Sequence, residues 1–306
     1  MKKISIGFVD FWKGFNPIDN FVVSRLKRYY EVVISDHPDY LFYSSFGTKH
    51  SSFLNCVKIY FTGENDAPNF NESDYAIAFQ HIAFEDRYLR FPLYLLYGNL
   101  YDKIQSKNVQ PEQVLNRKFC NFVYSNSKYA DPFREKFFKE LSKYKKVDSG
   151  GRYLNNIGGP VADKLDFIKE YKFTIAFENS SLSGYTTEKI LEPMSVNSLP
   201  IYWGNPNVSL DFNPKSFINV NEFSSMEKAI DEIIRIDKND DLYLNILNKP
   251  WLENSRSLDD WFLSLDVFFR NIFEQPKSKA KRCTEYGYVR RNICKRKMNS
   301  LLNLFK

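Results

Sequence analysis

Three side chains in the stretch GYTTEKILEPM, residues 184–194, have types suited to one ligand: the phenol of Tyr185, the carboxylate of Glu188 and the ammonium of Lys189. Helical spacing predicts that they share one face. The opposite face is apolar and carries Ile190, Leu191 and Met194. A cation and a hydroxyl suit a phosphate, and a carboxylate can accept both hydroxyls of a ribose. The alternative is a solvated helix face whose Glu–Lys pair contributes little.

Two further polar residues occur where a ligand site is expected. Arg134 lies near the start of the helix-like stretch FREKFFKEL, and Glu64 follows a glycine at the end of the strand-like stretch CVKIYFTGE. An arginine at a helix start suits a phosphate, and a carboxylate at a strand end suits proton transfer. The alternative without a function is that Arg134 is a surface arginine and Glu64 an ordinary acid in a loop. Their positions depend on the elements around them.

Strand-like and helix-like stretches alternate through both halves of the chain. The first half has strands at 4–11, 39–45, 56–64 and 74–80, and the second has strands at 119–126, 171–179, 199–204 and 215–220. Helices are predicted at 131–144, 185–197, 224–237 and 257–275, and the polar stretch 100–118 is predicted to be a linker. This alternation is typical of an α/β fold with mostly parallel sheets.

We therefore expect two βαβ domains in series, with a ligand cleft between them. The predicted boundaries are 1–112 for the first domain, 113–256 for the second domain, 257–275 for an amphipathic helix that packs back on the first domain, and 276–306 for a basic amphipathic tail. Ligands of such sheets bind outside the carboxyl ends of the strands. Glu64, Asn179 and Tyr185 lie at such ends.

Composition excludes several classes of protein. Hydrophobic residues make up 43% and charged residues 26% of the 306 positions, which is typical of a globular chain. The phosphate-binding pattern of P-loop enzymes and the glycine pattern of dinucleotide-binding enzymes are both missing. The four cysteines form no CxxC pair and the three histidines are scattered, so a zinc site is not expected. Free thiols and the lack of a membrane-length apolar run favour the cytoplasm.

The net charge of +6 is concentrated in the tail. Residues 276–306 contain ten Lys or Arg and a single acid, Glu285, which leaves the rest of the chain slightly acidic. A basic amphipathic helix can lie on an anionic membrane surface, and this is the partner that we expect for the tail. The location would then be the cytoplasm, peripheral on the inner face of the cytoplasmic membrane. Nucleic acid is not an expected partner.

The stretch FTIAFENSSLSGYTTEKILEPMSVNSLPIYWGNP, residues 173–206, resembles the donor-binding motif of the α1,3/1,4-fucosyltransferases of glycosyltransferase family 10. The ordered pattern FEN, GY, EK and PIYWG carries the resemblance. YFTGENDAPNFNESDYAIAF (60–79) and DRYLRFPLYLLY (86–97) are similar to the bacterial members. The resemblance covers roughly residues 56–240.

The resemblance implies a GT-B fold, with two Rossmann-like domains and the active site in the cleft between them. Residues 1–112 would then form the acceptor-side domain and residues 113–256 the GDP-fucose-binding domain. It implies inverting transfer of L-fucose from GDP-β-L-fucose to an N-acetylglucosamine-type hydroxyl of a glycan such as N-acetyllactosamine. The expected linkage is α1,3, with α1,4 as the open alternative, and the product would be Lewis-antigen-like, with a lipopolysaccharide-type glycan as one such acceptor. No metal cofactor is expected to be required, although Mn or Mg could stimulate the reaction.

The resemblance also implies roles for six residues. Glu64 matches the base, and Arg134 and Lys189 are expected to assist catalysis by offsetting charge on the departing GDP. The donor-binding set comprises Arg134, Asn179, Tyr185, Glu188 and Lys189. The rival hypotheses are another GT-B enzyme that uses a different sugar nucleotide, and a non-catalytic module that binds a glycan or a nucleotide.

Overall fold

The computed structural model describes residues 1–125, 127–253 and 256–283, together with Cys294, Met298 and Leu301. The chain forms two compact units. The first contains Met1–Phe91 and the chain from Asp259, and the second contains Pro92–Leu258. This division falls about twenty residues before the boundary at 112 that composition suggests.

The first unit is built on a six-stranded sheet. In chain order its elements are β1 (Lys2–Val9), α1 (Phe21–Leu26), β2 (Tyr30–Ile34), β3 (Tyr40–Tyr43), β4 (Val57–Phe61), β5 (Tyr75–Ala78) and β6 (Tyr88–Arg90). The spatial order is β2-β1-β3-β4-β5-β6, and every neighbouring pair is parallel. The central strands β3, β4 and β5 are buried along their whole length, as expected for a parallel sheet covered on both faces.

The register brings several strand ends to one edge of this sheet. Val9 at the end of β1 pairs with Tyr43 at the end of β3, and Tyr43 pairs with Tyr60 near the end of β4. The loops that follow these strands therefore begin at the same edge. Asp10, Phe46 and Glu64 all lie in these loops.

The second unit contains a five-stranded parallel sheet. Its elements are α2 (Gly98–Gln105), α3 (Pro111–Leu115), β7 (Lys118–Phe122), α4 (Phe133–Leu141), β8 (Val147–Ser149), α5 (Lys164–Ile168), β9 (Tyr171–Phe177), α6 (Glu188–Ser195), β10 (Leu199–Trp203), β11 (Ile218–Asn219), α7 (Met226–Asp237) and α8 (Asp240–Leu247). The strand order is β11-β10-β9-β7-β8. Strand β9, in the middle, is completely buried.

Two sequence predictions in this unit are wrong. The polar stretch 100–118 is not a linker, because it contains most of α2, all of α3 and the first residue of β7. The buried face of α2 consists of Leu100, Tyr101 and Ile104, and the polar residues between them obscure this short helical pattern. Helix α6 begins at Glu188 and not at Tyr185, because the Thr187 backbone is still extended, with φ −117° and ψ −168°.

The last described helices are α9 (Leu258–Glu274) and α10 (Lys277–Ala280). Helix α9 lies in the first unit, where its buried Asp266 accepts hydrogen bonds from Arg25 Nε (3.0 Å) and from the Tyr29 hydroxyl (2.9 Å). Its Phe269 ring meets Phe42 of β3 edge-on, with centroids 6.1 Å apart. No helix within the described ranges combines the length and the apolar composition of a membrane span.

The start of the basic segment 276–306 is tied to the first unit. Lys277 forms an ion pair with Asp39 at 2.5 Å, and Arg282 forms one with Asp86 at 2.7 Å. Residues 277–282 of the expected amphipathic tail thus contact the first unit, and the amphipathic tail as a whole stays a prediction. The rest of that prediction falls outside the described residues, apart from Cys294, Met298 and Leu301, which are helical and exposed.

Candidate active site

Polar side chains of the second unit gather where β9 and β10 end. Glu178 and Asn179 directly follow β9, and Gly204 and Asn205 directly follow β10. Asn205 ties the intervening loop together, because its side-chain oxygen accepts the Gly184 backbone N–H at 2.7 Å. The loop then leads into α6, so the start of that helix lies at the carboxyl edge of the sheet, the usual ligand position in such folds.

Arg134 is held inside this edge by α4. Aromatic packing of Phe133 and Phe137 on Phe177 fixes the helix, with ring centroids 5.8 and 4.8 Å apart. The Arg134 side chain is then buried, with 2% of the residue exposed. Its guanidinium lies 4.1 Å from the centroid of the Tyr124 ring and donates to Asn179 Oδ1 at 2.7 Å. It also donates to the Phe177 carbonyl at 3.2 Å.

The charge of Arg134 is not compensated by the protein in the described ranges. No carboxylate among those residues forms an ion pair with the guanidinium, and its Nε has no hydrogen-bond partner there. A buried cation is costly unless it is paired. This arrangement is therefore suited to an anionic ligand, with the Asn179 amide and the Tyr124 ring holding the guanidinium in place.

Lys189, in contrast, is paired within the protein. Its Nζ lies 3.2 Å from Glu178 and 3.6 Å from Glu188, and it donates to Thr187 Oγ1 at 2.9 Å. Burial acts to lower the pKa of Lys189, but the two carboxylates outweigh it and hold the pKa above its ordinary value. Lys189 is therefore a fixed ammonium at the start of α6.

Glu178 is the main residue that sequence reasoning missed. Its side chain is completely buried and accepts hydrogen bonds from the Thr187 backbone N–H (2.7 Å) and hydroxyl. Burial raises the pKa of Glu178, whereas Lys189 and Thr187 favour its ionised form. The glutamate in FEN, directly after a fully buried strand, was the available signal. Its role is to anchor the start of α6 and to position Lys189.

Glu188 is the more accessible of the two carboxylates, with 21% of its side chain exposed. Burial acts to raise the pKa of Glu188, but Lys189 and the first-turn backbone amide hold it below its ordinary value. Burial, together with the negative charge of Glu188, raises the pKa of the Tyr97 phenol to about 12. An ionised carboxylate at the start of α6 can accept a pair of ligand hydroxyls.

Tyr185 lies in the loop before α6 and is buried, with 3% exposed. The structure thus brings five predicted residues to one edge of the second unit: Arg134, Asn179, Tyr185, Glu188 and Lys189. The sixth, Glu64, belongs to the first unit. No group of three or more His, Cys, Asp or Glu residues suited to a metal ion occurs within the described ranges.

Glu64 is exposed in the loop after β4. The loop is shaped by Thr62, whose hydroxyl accepts the Glu64 backbone N–H at 3.0 Å. The nearby Asp66 carboxylate is engaged by the Tyr60 hydroxyl at 2.8 Å and by the Ala67 N–H at 2.9 Å. Within the described part of the chain the Glu64 carboxylate has no such partner, so Glu64 is the better placed of the two acids to accept a proton from a ligand.

The chain thus has two α/β units, each built on a parallel sheet, as in a GT-B-type fold. At the carboxyl edge of the second sheet lies a buried guanidinium that has no carboxylate partner among the described residues. A family model for the α-(1,3)-fucosyltransferase FucT N-terminal domain matches residues 6–97, and one for glycosyltransferase family 10 (fucosyltransferase), C-terminal, matches residues 115–289. The second match spans more than half of the chain. The chain therefore belongs to glycosyltransferase family 10.

Individual relatives agree with this family. The α-(1,3)-fucosyltransferase FucT of Helicobacter pylori is 35% identical over 86% of this chain and 64% of the relative. GDP-fucose protein O-fucosyltransferase 3 of Xenopus tropicalis is 33% identical over 55% of this chain and 39% of the relative. The chain thus spans less than two thirds of these curated relatives.

A solved structure extends the comparison to the fold. The crystal structure of an α1,3-fucosyltransferase with GDP-fucose superposes with a TM-score of 0.74 at 30% identity. It covers 90% of this chain and 91% of that chain. The similarity therefore includes both α/β units.

Proposed function

We propose that this chain is an enzyme that transfers L-fucose from GDP-β-L-fucose to a glycan hydroxyl, with inversion at the anomeric carbon. The observation that carries the proposal is Arg134, a buried guanidinium without a carboxylate partner in the described residues. A diphosphate supplies the missing negative charge. Family membership narrows the nucleotide, because the solved relative was crystallised with GDP-fucose.

The proposed donor site uses the five residues at the edge of the second unit. Arg134 and the Tyr185 phenol contact the diphosphate, and Asn179 holds Arg134 in position. Glu188 accepts the ribose hydroxyls. Lys189 adds a positive charge that Glu178 and Glu188 partly offset. The Lys189 ammonium therefore mainly orients the donor through a direct contact, whereas Arg134 offsets most of the negative charge of the diphosphate.

The proposed reaction is a direct displacement. The acceptor hydroxyl attacks the anomeric carbon of fucose, the bond to the GDP oxygen breaks, and Glu64 takes the proton from the hydroxyl. Negative charge develops on the departing diphosphate, and fixed cations stabilise it. A charge pair near 4 Å at an effective dielectric constant of 20 is worth about 4 kcal/mol. Only the share gained in the transition state accelerates the reaction.

The proposed acceptor is an N-acetylglucosamine-type hydroxyl, with α1,3 linkage expected and α1,4 as the alternative. The Helicobacter pylori relative supports α1,3, since it matches far more of this chain than the protein O-fucosyltransferase does. The test is incubation with GDP-fucose and N-acetyllactosamine, with mapping of the product linkage. A peptide acceptor is tested in parallel, because the Xenopus tropicalis relative is a protein O-fucosyltransferase. Transfer to peptide alone would overturn the glycan acceptor.

The two rival hypotheses make different predictions. A transferase of another sugar would act on a different member of a panel of GDP- and UDP-sugars. A non-catalytic module would bind GDP-fucose without consuming it, in either transfer or hydrolysis. Glu64 together with the complete donor set argues against a binding module, because binding alone does not need a base.

We further propose that the chain acts in the cytoplasm and that residues 284–306 bind anionic membrane near a lipid-linked acceptor. Met298 and Leu301 are each helical and exposed and lie three positions apart in the sequence, a spacing that supports an apolar side to this segment. Truncation after Cys283 is the suitable test, because 276–283 is bonded to the first unit. Vesicles of phosphatidylglycerol should retain the full chain and release the truncated one. Equal binding of both would contradict the proposal.

A further inference from the structure

A group of aromatic side chains reaches the surface at the carboxyl edge of the first unit's sheet. Trp12 is 43% exposed and Phe46 is 49% exposed, with ring centroids 6.4 Å apart. Beneath them Phe15 packs against Trp12 at 5.1 Å and stacks on Phe11 at 4.1 Å. Phe11 in turn stacks on Phe61 of β4 at 6.3 Å. Trp12 therefore packs on an aromatic base that reaches β4, and Phe46 packs against Trp12.

Asp10 fixes the two loops that carry these rings. Its carbonyl accepts the Phe46 backbone N–H at 3.0 Å. Its carboxylate accepts the backbone N–H groups of Lys49 and His50, both at 2.9 Å, and meets His50 Nδ1 at 2.7 Å. Asp10 does this from a left-handed backbone conformation, with φ +60°, which is uncommon outside glycine. The backbone strain at Asp10 is therefore maintained by the hydrogen bonds that join the Trp12 loop to the Phe46 loop.

This aromatic pair lies close to Glu64 along the same edge. Trp12 and Phe46 each lie three residues beyond the paired strand ends Val9 and Tyr43, and Glu64 follows the neighbouring strand β4. Adjacent strands are about 4.8 Å apart. The pair is thus one to two strand spacings, about 5–10 Å, from the loop of Glu64, a distance comparable with the length of a disaccharide.

We propose that Trp12 and Phe46 bind the acceptor glycan by stacking against the apolar face of the sugar ring next to the one that receives fucose. This inference rests on the proposed function, since it takes Glu64 to be the base. A rigid, half-exposed indole offers a large apolar surface at low entropic cost, and pyranose rings present C–H groups on one face. The surface thereby selects oligosaccharides over single sugars.

The test compares Trp12→Ala and Phe46→Ala with the unaltered protein. Both side chains are exposed, so their truncation leaves no buried cavity, and unfolding midpoints check the fold. We expect KM for N-acetyllactosamine to rise about tenfold, equivalent to ~1.4 kcal/mol, with KM for GDP-fucose unchanged. KM for free N-acetylglucosamine should also stay unchanged. Trp12→Tyr should retain most of the acceptor affinity because it keeps a ring.

The matched control is Leu54→Ala, an apolar side chain that is 51% exposed just before β4, at the opposite edge of the same sheet. It should behave as the unaltered protein. Equal KM for N-acetyllactosamine in all variants would overturn the inference while leaving the transfer reaction intact.

A second measurement decides the inference even if no transfer occurs. Saturation-transfer NMR with N-acetyllactosamine and the GDP-bound protein should show contact to the second sugar ring, lost in Trp12→Ala. Loss of contact supports the aromatic surface whatever the donor proves to be. Undiminished contact in the variant, or none in the unaltered protein, would overturn it.

Discussion

The Lys189 ammonium lies 3.2 Å from the carboxylate of Glu178, whose side chain is completely buried. This pair joins the end of β9 to the first turn of α6. It also requires glycine at position 204, where φ is +152° and an added Cβ would lie 2.5 Å from Glu178 Cγ. The loop between β9 and α6 is therefore organised around a buried ion pair.

The Lys189→Ala variant should lose stability as well as donor binding. Removal of the ammonium leaves the buried Glu178 carboxylate without its counter-ion, which typically costs about 3–5 kcal/mol. Urea unfolding measures this loss. The double variant Glu178→Gln, Lys189→Met should recover much of the stability but not the affinity for GDP. Full recovery of both would show that Lys189 has no role in donor binding.

The Arg134→Met variant, unlike Lys189→Ala, should lose GDP affinity without losing stability. The variant removes a buried charge that has no carboxylate partner among the described residues, and it roughly keeps the volume. The stability of the ligand-free protein should therefore be unchanged or higher. GDP affinity should fall about 100-fold, equivalent to ~2.7 kcal/mol. Calorimetry provides the measurement, with the exposed Lys136→Met on the same helix as control. Unaltered GDP affinity would place the diphosphate elsewhere.

The Glu64→Gln variant should abolish fucosyl transfer and leave GDP affinity within a few-fold. The amide cannot accept the acceptor proton, and Glu64 belongs to the first unit while the donor set belongs to the second. The control is Asp66→Asn, whose carboxylate is held by Tyr60 and should matter less. Near-normal turnover in Glu64→Gln would remove this residue from the mechanism.

Transfer activity should persist in excess EDTA. Arg134 and Lys189 provide fixed positive charge where the diphosphate is proposed to lie, so the protein itself can offset the charge of departing GDP. Added Mn or Mg should stimulate only modestly. A complete loss of turnover that is restored by metal would contradict this expectation. The measurement is initial rate with GDP-fucose and N-acetyllactosamine before and after chelation.

The stability contribution of His50 should depend on pH. Burial acts to lower the pKa of His50, but Asp10 and Glu72 outweigh it and raise the pKa above 6.5. Both ring nitrogens meet these carboxylates, at 2.7 and 3.5 Å, while the Tyr43 ring stacks on the imidazole. A raised pKa in the folded state means that the stabilisation is complete below the unfolded value and is lost as pH rises through the folded value.

The unaltered protein should therefore exceed His50→Gln in stability by a wider margin near pH 6 than at high pH. Chemical unfolding across the pH range gives the difference. His37→Gln, an exposed histidine, serves as control and should show no such trend. A difference that grows towards high pH would contradict the assignment.

The sequence determined the α/β class and most of the strands, since each buried strand is a local apolar run that needs little context. It also indicated which stretch resembles the family's donor-binding motif, because FEN, GY and EK lie within one continuous stretch. Five of the six site residues named from sequence lie together in the second unit, as the spacing of strand ends indicates.

Only the tertiary structure determined which of these residues contact one another and which are buried. Arg134 meets Asn179 across 45 positions, and Trp12 meets Phe46 across loops of different strands. Helix α2 could not be predicted from its short apolar pattern and is stabilised by burial of that face. Helix α6 starts at Glu188 because the Glu178 carboxylate accepts the backbone N–H of Thr187, the residue before it. Burial and charge pairing depend on distances in space, and those distances are set by how the sheet aligns its strand ends.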